Sequence, residues 1–399
     1  MDAPERQVWR VSGRQGPGRP KGAKWRAHLL SFTGHGVCRP QRCAPLLFGA
    51  CRRERRLYPG GDTVSVRFGA CILDAEGLRL TADEKRLFAE VNPFGFILFA
   101  RNIDTPEQVR ALCAEMREAV GRAAPITIDQ EGGRVQRLRA PLWRDWLPPL
   151  EHVAEARANA AQAMYLRYRL IAAELYDLGI DSNCAPLVDV AGQDTHDFLK
   201  NRCYGFDAGT VARMGRAVAE GLLDGGVLPV VKHIPGHGRA VVDSHLDLPG
   251  VDAPLSDLTG IDFAPFQALN DLPMGMTAHV VYSEIDARPA TLSPKVMQLI
   301  RDEIEFEGLI MTDDISMKAL NGSLPEIAQG SLAAGCDVVL LCNASLEDRR
   351  AVATAAGQMT DQAQDRAERA LAARKTPQQV DIRAVEAKLD ALLNGRGDV

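Results

Sequence analysis

The chain has 399 residues, 46% of them hydrophobic and 25% charged, with a net charge of −5. That is the balance of an ordinary globular protein, and no run approaches the ~18 apolar residues of a membrane span, so no membrane partner is expected and the folded part is placed in the cytoplasm. The charge is uneven: residues 1–60 hold thirteen Lys/Arg against only Asp2, Glu5 and Glu54, which makes this head about +10 and leaves about −15 on the remainder.

The head, residues 1–63, is also rich in Pro and Gly and has poor periodicity. Three readings compete: a nucleic-acid-binding arm, a targeting segment, and a disordered extension or non-native upstream sequence. The apolar run 44–50 is too short for a signal core and is followed by Arg52-Arg53-Glu54-Arg55-Arg56. The third reading is therefore preferred, and no nucleic-acid partner is expected. Of the nine cysteines, Cys71, Cys113, Cys184, Cys203, Cys336 and Cys342 lie beyond the head without paired spacing and read as free buried thiols.

From about residue 64 short β-rich runs alternate with longer helical stretches. Strands are predicted at 66–73, 95–99, 125–128, 181–188, 228–231, 274–280, 309–311 and 337–341. Helical periodicity fills 106–120, 154–178, 208–224, 294–303 and 325–334, and residues 351–393 are Ala-rich, charged and helical, suited to covering the outside of a barrel. Eight alternating units predict an α/β fold with a closed (β/α)8 TIM-type barrel as one domain over 64–399, with a doubly wound sheet as the alternative.

Polar residues repeatedly stand at the ends of these strands: Asp129, Asp189, Lys232-His233, His279 and Asp313-Asp314. In a parallel barrel such ends converge on one face, where active sites sit. Each also has a plainer reading. Asp129 and Arg137, flanking the tight Gly132-Gly133 turn, either bind hydroxyls or form an internal ion pair. Arg202 is a substrate clamp or a solvated loop charge. Lys232 is a fixed donor or the partner of a nearby carboxylate, and His237 reads as a brace for its loop. A Gly-rich phosphate loop at 129–137 is disfavoured, because Glu131 puts negative charge where phosphate would lie. Asp243 and His245 are two residues apart, so in an extended segment they share a side, and the carboxylate can make His245 a general acid/base. Asp313 can attack an anomeric carbon, while Asp314 is expected on the loop, as the N-cap of a helix beyond Ile315.

Taken together, Asp-Gln-Glu-Gly-Gly-Arg-Val-Gln-Arg at 129–137, Lys-His-Ile-Pro-Gly-His-Gly at 232–238, Asp-Ser-His at 243–245 and Thr-Asp-Asp-Ile-Ser-Met at 312–317 resemble the single-domain β-N-acetylglucosaminidases of glycoside hydrolase family 3, found in bacterial peptidoglycan recycling. The resemblance covers roughly residues 65 to 395. It implies Asp313 as nucleophile, His245 as proton donor and acceptor with Asp243 as its partner, and Asp129, Arg137, Arg202, Lys232 and His233 as ligands of the N-acetylglucosamine ring. It implies retention of configuration through a glycosyl-aspartate, a saccharide partner such as a GlcNAc-anhydroMurNAc muropeptide, no metal or other cofactor, and a monomer. An imidazole in place of a second carboxylate avoids repulsion against the nucleophile and can be carried on a mobile loop, for which Gly236 and Gly238 are suited. Ile234, Cys203-Tyr204 and Arg239-Ala240 depart from the usual family residues, Phe, Ser-Phe and Asp-Thr.

A phosphorylase on the same scaffold is the near alternative, with phosphate replacing water in the second step. A metal hydrolase using His233, His237 and His245 is disfavoured, because Pro235 and Gly236 forbid the helix that an i, i+4 zinc pair needs. A non-catalytic sugar-binding barrel leaves the nucleophile and the acid/base without a purpose.

Overall fold

Eight parallel strands close on themselves in chain order. The computed structural model describes residues 67–241 and 248–394, so the expectation for residues 1–63 lies outside the described residues. The barrel strands are β1 (Gly69–Asp74), β2 (Pro93–Leu98), β3 (Ile126–Ile128), β4 (Ser182–Asn183), β5 (Leu228–Ile234), β6 (Met274–Thr277), β7 (Leu309–Asp314) and β8 (Val338–Leu340), each paired with its sequence neighbours, and β8 pairs with β1. The (β/α)8 barrel is thus the architecture, and the doubly wound alternative falls, because no strand order reverses.

Local signals explain the helix boundaries. Pro106 opens the Pro106–Val120 helix where no amide partner exists, and Gly121 at φ 63° closes it in the left-handed region. Asp207 caps Ala208–Asp224 by accepting the Thr210 amide at 2.8 Å. The stretch predicted as one helix over 154–178 is two, Pro149–Ala156 and Ala160–Asp177, interrupted where Arg157 takes φ 51°. The Ala82–Val91 helix, absent from the prediction, carries a capping box between Thr81 and Glu84 that was legible in the sequence. The three C-terminal helices, Leu346–Ala356, Asp361–Ala372 and Ile382–Leu393, lie against β1, β7 and the Ala160–Asp177 helix respectively.

Strand lengths differ from expectation for identifiable reasons. The strand predicted at 181–188 shrinks to β4 because Pro186 has no amide to give the ladder. Pairing resumes only as a bridge between Leu187 and Lys232. Conversely, β5 and β7 run longer than predicted and include Lys232-His233 and Asp313-Asp314. The six cysteines of the described residues are all free and buried.

Candidate active site

Consecutive residues of a regular strand face opposite sides. Lys232 and His233 nevertheless both line one cavity, and so do Asp313 and Asp314. The reason is that the β5–β6 register shifts between Val231 and Ile234, and the β7–β8 register shifts between Met311 and Asp314. Irregularities of this kind re-aim side chains at a barrel rim. Within the first, the Lys232–His233 peptide is cis. The cavity, of about 390 Å³, also takes in Asp129, Arg137 and Arg202.

One wall is a lattice of ion pairs. β3 ends in Asp129, and a short antiparallel ladder of Gln130–Gly132 with Val135–Gln136 turns the chain back. Only glycine fits the turn: Gly132 sits at φ 111°, and a Cβ there would lie 1.9 Å from Arg167 Nη2. That Arg167 nitrogen donates to the Glu131 carbonyl at 2.6 Å, and Asn183 at the end of β4 brackets Gln130 by accepting its amide and donating to its carbonyl. Gln130 Oε1 in turn accepts the Arg137 amide at 2.9 Å. Arg137 Nη2 then donates to Asp129 Oδ2 at 3.0 Å, and Lys232 Nζ donates to Asp129 Oδ1 at 3.0 Å.

Behind Asp129 lies Glu131, whose side chain is 1% exposed. It receives Arg202 in a two-bond fork, Nε to Oε2 at 3.0 Å and Nη2 to Oε1 at 2.9 Å, and Lys232 Nζ at 2.5 Å. Burial works to raise both carboxyls, but the cations outweigh it: Arg202 and Lys232 hold Glu131 at about 2, and Lys232 and Arg137 hold Asp129 well below its usual range. Burial alone would lower Lys232, yet Glu131 and Asp129 push it above its ordinary value. For Asp129, Arg137 and Lys232 the alternatives read from sequence prove compatible, since each is ion-paired and each faces the cavity, whereas the solvated loop charge read for Arg202 falls, because its side chain is buried against Glu131.

His233 is held from below. Its Nδ1 lies 2.7 Å from Asp189 Oδ2, and Asp189 Oδ1 accepts the amides of His233 and His237 at 3.3 and 2.7 Å. His237 packs its ring edge-on against His233, with centroids 5.5 Å apart. Gly236 takes φ 143°, in the left-handed region that favours glycine, and Gly238 serves close approach. A Cβ on Gly238 would meet the Val190 carbonyl at 1.9 Å, and the Gly236 carbonyl accepts the Tyr282 hydroxyl.

The opposite wall carries Asp313. Its Oδ1 accepts the Asp314 amide at 2.8 Å, and among the described residues it makes no ion pair within 4.0 Å. Burial acts to raise its pKa, but His233 and His279, with the Asp314 amide and Lys232, bring it below the usual carboxylate value. Contrary to the expectation, Asp314 caps no helix. It caps a turn, accepting the Ser316 amide and hydroxyl at 3.0 and 2.7 Å and the Cys342 amide at 3.1 Å. The next helix begins only at Leu324. Burial pushes Asp314 up to about 6. Its carbonyl lies 3.0 Å from His279 Nε2, and the other ring nitrogen lies 2.7 Å from Thr291 Oγ1.

The structure therefore gathers Asp129, Arg137, Arg202, Lys232, His233 and Asp313, which are 184 residues apart at the extremes, around one cavity. Asp243 and His245 lie outside the described residues. Sequence reasoning left Glu131 and Asp189 out of the site, although the strand-end pattern had marked Asp189. It also passed over Arg134, Phe198, Met276 and Met317 on the cavity wall. The arrangement offers a fixed set of donors and acceptors for a polyhydroxylated ring opposite a carboxylate free to react.

Comparison with known proteins agrees with this geometry. The profile described as Glycosyl hydrolase family 3 N terminal domain matches residues 63–373. A protein of Alkalilimnicola ehrlichii named beta-hexosaminidase is 38% identical over 283 residues, covering 69% of this chain and 81% of the relative. The family 3 β-N-acetylglucosaminidase of Paenibacillus sp. superposes with a TM-score of 0.69 at 31% identity, over 80% of this chain, which spans 62% of that longer one. The crystal structure of NagZ from Neisseria gonorrhoeae in complex with N-trifluoroacetyl-D-glucosamine superposes with a TM-score of 0.67 at 29% identity, over 82% of this chain and 98% of that one.

Proposed function

The chain belongs to glycosyl hydrolase family 3, and from that membership we propose that it is a retaining exo-β-N-acetylglucosaminidase acting on peptidoglycan fragments that end in β-linked N-acetylglucosamine, such as GlcNAc-anhydroMurNAc. The observation that carries the reading is one cavity in which Asp313, a carboxylate without an ion pair among the described residues, faces an ion-paired clamp of Asp129, Arg137, Arg202 and Lys232. The amino sugar in the gonococcal structure and the activity in the relatives' names support the sugar class.

In the first step Asp313 attacks the anomeric carbon and the bond to the aglycone oxygen breaks. His245 gives that oxygen its proton, and a glycosyl-aspartate ester forms. In the second step His245 takes a proton from water, the water oxygen bonds to the anomeric carbon from the opposite face, and the ester bond to Asp313 breaks. Two inversions restore the β configuration. The nucleophile must be ionised, which the lowered Asp313 pKa favours, and it must not be tied up by a cation, which the ion-pair pattern satisfies. Asp243 would hold the His245 ring in one tautomer. The clamp fixes ring hydroxyls while its own charges stay balanced, so a neutral sugar enters without leaving a buried charge unpaired.

We place the enzyme in the cytoplasm. Free buried thiols at all six described cysteines support a reducing compartment. Among the described residues no helix is long and apolar enough to cross a membrane.

Assay on an aryl β-N-acetylglucosaminide with and without inorganic phosphate tests the reaction. Free N-acetylglucosamine at an unchanged rate is expected, whereas sugar 1-phosphate formed about tenfold faster with phosphate would make the enzyme a phosphorylase. His245→Ala should slow glycosides with poor leaving groups at least about tenfold more than activated aryl glycosides, because proton donation matters less when the leaving group departs unaided. Equal losses on both would remove His245 from the acid role.

A further inference from the structure

We infer that Asp189 is a positioning residue that fixes the proton of His233 on Nδ1 and so presents Nε2 to the sugar as a hydrogen-bond acceptor whenever the ring is neutral. Asp189 is fully buried at the end of the segment that follows β4, and it touches no part of the cavity. Its two oxygens have separate duties. Oδ1 takes two backbone amides, His233 at 3.3 Å and His237 at 2.7 Å. Oδ2 takes the His233 ring at 2.7 Å. A carboxylate can only accept, and the charge and amides around Asp189 hold it ionised, so the ring nitrogen facing it carries the proton.

The two backbone amides make this arrangement testable. They are fixed donors, so an asparagine at 189 must turn its carbonyl oxygen toward them. Its NH2 group then faces His233 Nδ1, which can meet it only as an acceptor, and the proton moves to Nε2. Asp189→Asn thus reverses the polarity of the atom that faces the ligand while leaving shape, volume and the backbone bonds in place. The amide of His237 is held by the same carboxylate, so one buried group sets both a sugar-facing ring and the root of the segment leading toward His245. The effect on sugar binding rests on the proposed N-acetylglucosaminidase reading; the position of the proton does not.

The full chain and its Asp189→Asn variant should be compared by nitrogen-15 NMR of the histidine rings, thermal melting, and kinetics on an aryl β-N-acetylglucosaminide. The His233 signal should report Nδ1–H in the wild type and Nε2–H in the variant, with KM raised about tenfold and a smaller change in kcat, the size expected when one hydrogen bond to the sugar is lost and its groups are left opposed. Asp189→Ala should lose melting temperature as well, since it abandons two backbone amides. The inference is overturned by Nε2–H in the wild type, or by an Asp189→Asn variant that keeps the wild-type KM after its tautomer has changed. A wild type with Nδ1–H but no turnover of the glycoside would instead overturn the proposed function and leave the positioning role of Asp189 standing.

Discussion

The two walls of the cavity handle charge in opposite ways. On the β3–β5 side every carboxylate is met by a cation: Asp129 by Lys232 and Arg137, Glu131 by Arg202 and Lys232. On the β7 side two adjacent carboxylates, Asp313 and Asp314, rely on backbone amides and a serine hydroxyl. The first pattern makes a rigid surface that presents polar atoms at fixed positions and titrates only in strong acid. The second leaves one carboxylate able to form a bond, while burial raises the pKa of its neighbour to about 6, so that the neighbour is protonated only as pH falls below that value. Binding and bond formation need these different electrostatics, and the barrel supplies them by drawing each wall from different strands.

Removing the reactive carboxylate is the severest way to break this contrast. Asp313→Ala should cut turnover of an aryl β-N-acetylglucosaminide at least about a thousandfold, with the far-ultraviolet circular dichroism spectrum unchanged. An active variant would show that the unpaired wall is not the reactive one.

Next in size is the centre of the paired wall. Glu131→Gln leaves Arg202 and Lys232 without their shared partner and should cost about 3 kcal/mol in urea denaturation, along with a raised KM. The pH dependence sharpens the point. The pKa of Glu131 is depressed in the folded state to about 2, so its contribution to stability is complete above the unfolded carboxyl value and is lost as pH falls toward about 2. The variant should lack that part of the acid transition.

The smallest effect is expected at Asp314 and has the opposite sign. Burial raises its folded pKa to about 6, so its contribution favours the folded state at low pH and is lost as pH rises through about 6. Asp314→Asn should flatten the stability profile between about pH 4 and 6, where wild type declines. Parallel profiles for the two proteins would show that the unpaired wall carries no such strain.

Much of this was legible one residue at a time. The strand-end rule picked out Asp129, Asp189, Lys232, His233, His279 and Asp313, because a polar residue directly after an apolar strand has few places to go except the barrel mouth. The rule was silent on Glu131, which follows no strand and faces inward only because the ladder after Asp129 turns it toward Arg202, 71 residues away. It also marked Asp314, which does line the cavity, but the helix-cap reading of that residue fails, since its partners Ser316 and Cys342 come from a turn and from the neighbouring strand's end.

The amino-acid sequence by itself determined the alternation of strand and helix, most helix ends, and the residue types gathered at the strand ends. These follow from periodicity, from caps such as Asp207 and from stops such as Gly121, all of which act within a few residues. Tertiary structure alone decided where the strands slip register, which side chains those slips turn into the cavity, and which carboxylate is paired. Those outcomes depend on contacts such as Lys232 with Asp129, 103 residues apart, and His233 with Asp189, 44 apart. An ion pair exists only once the barrel has closed and brought its partners within reach, and no local pattern encodes that distance.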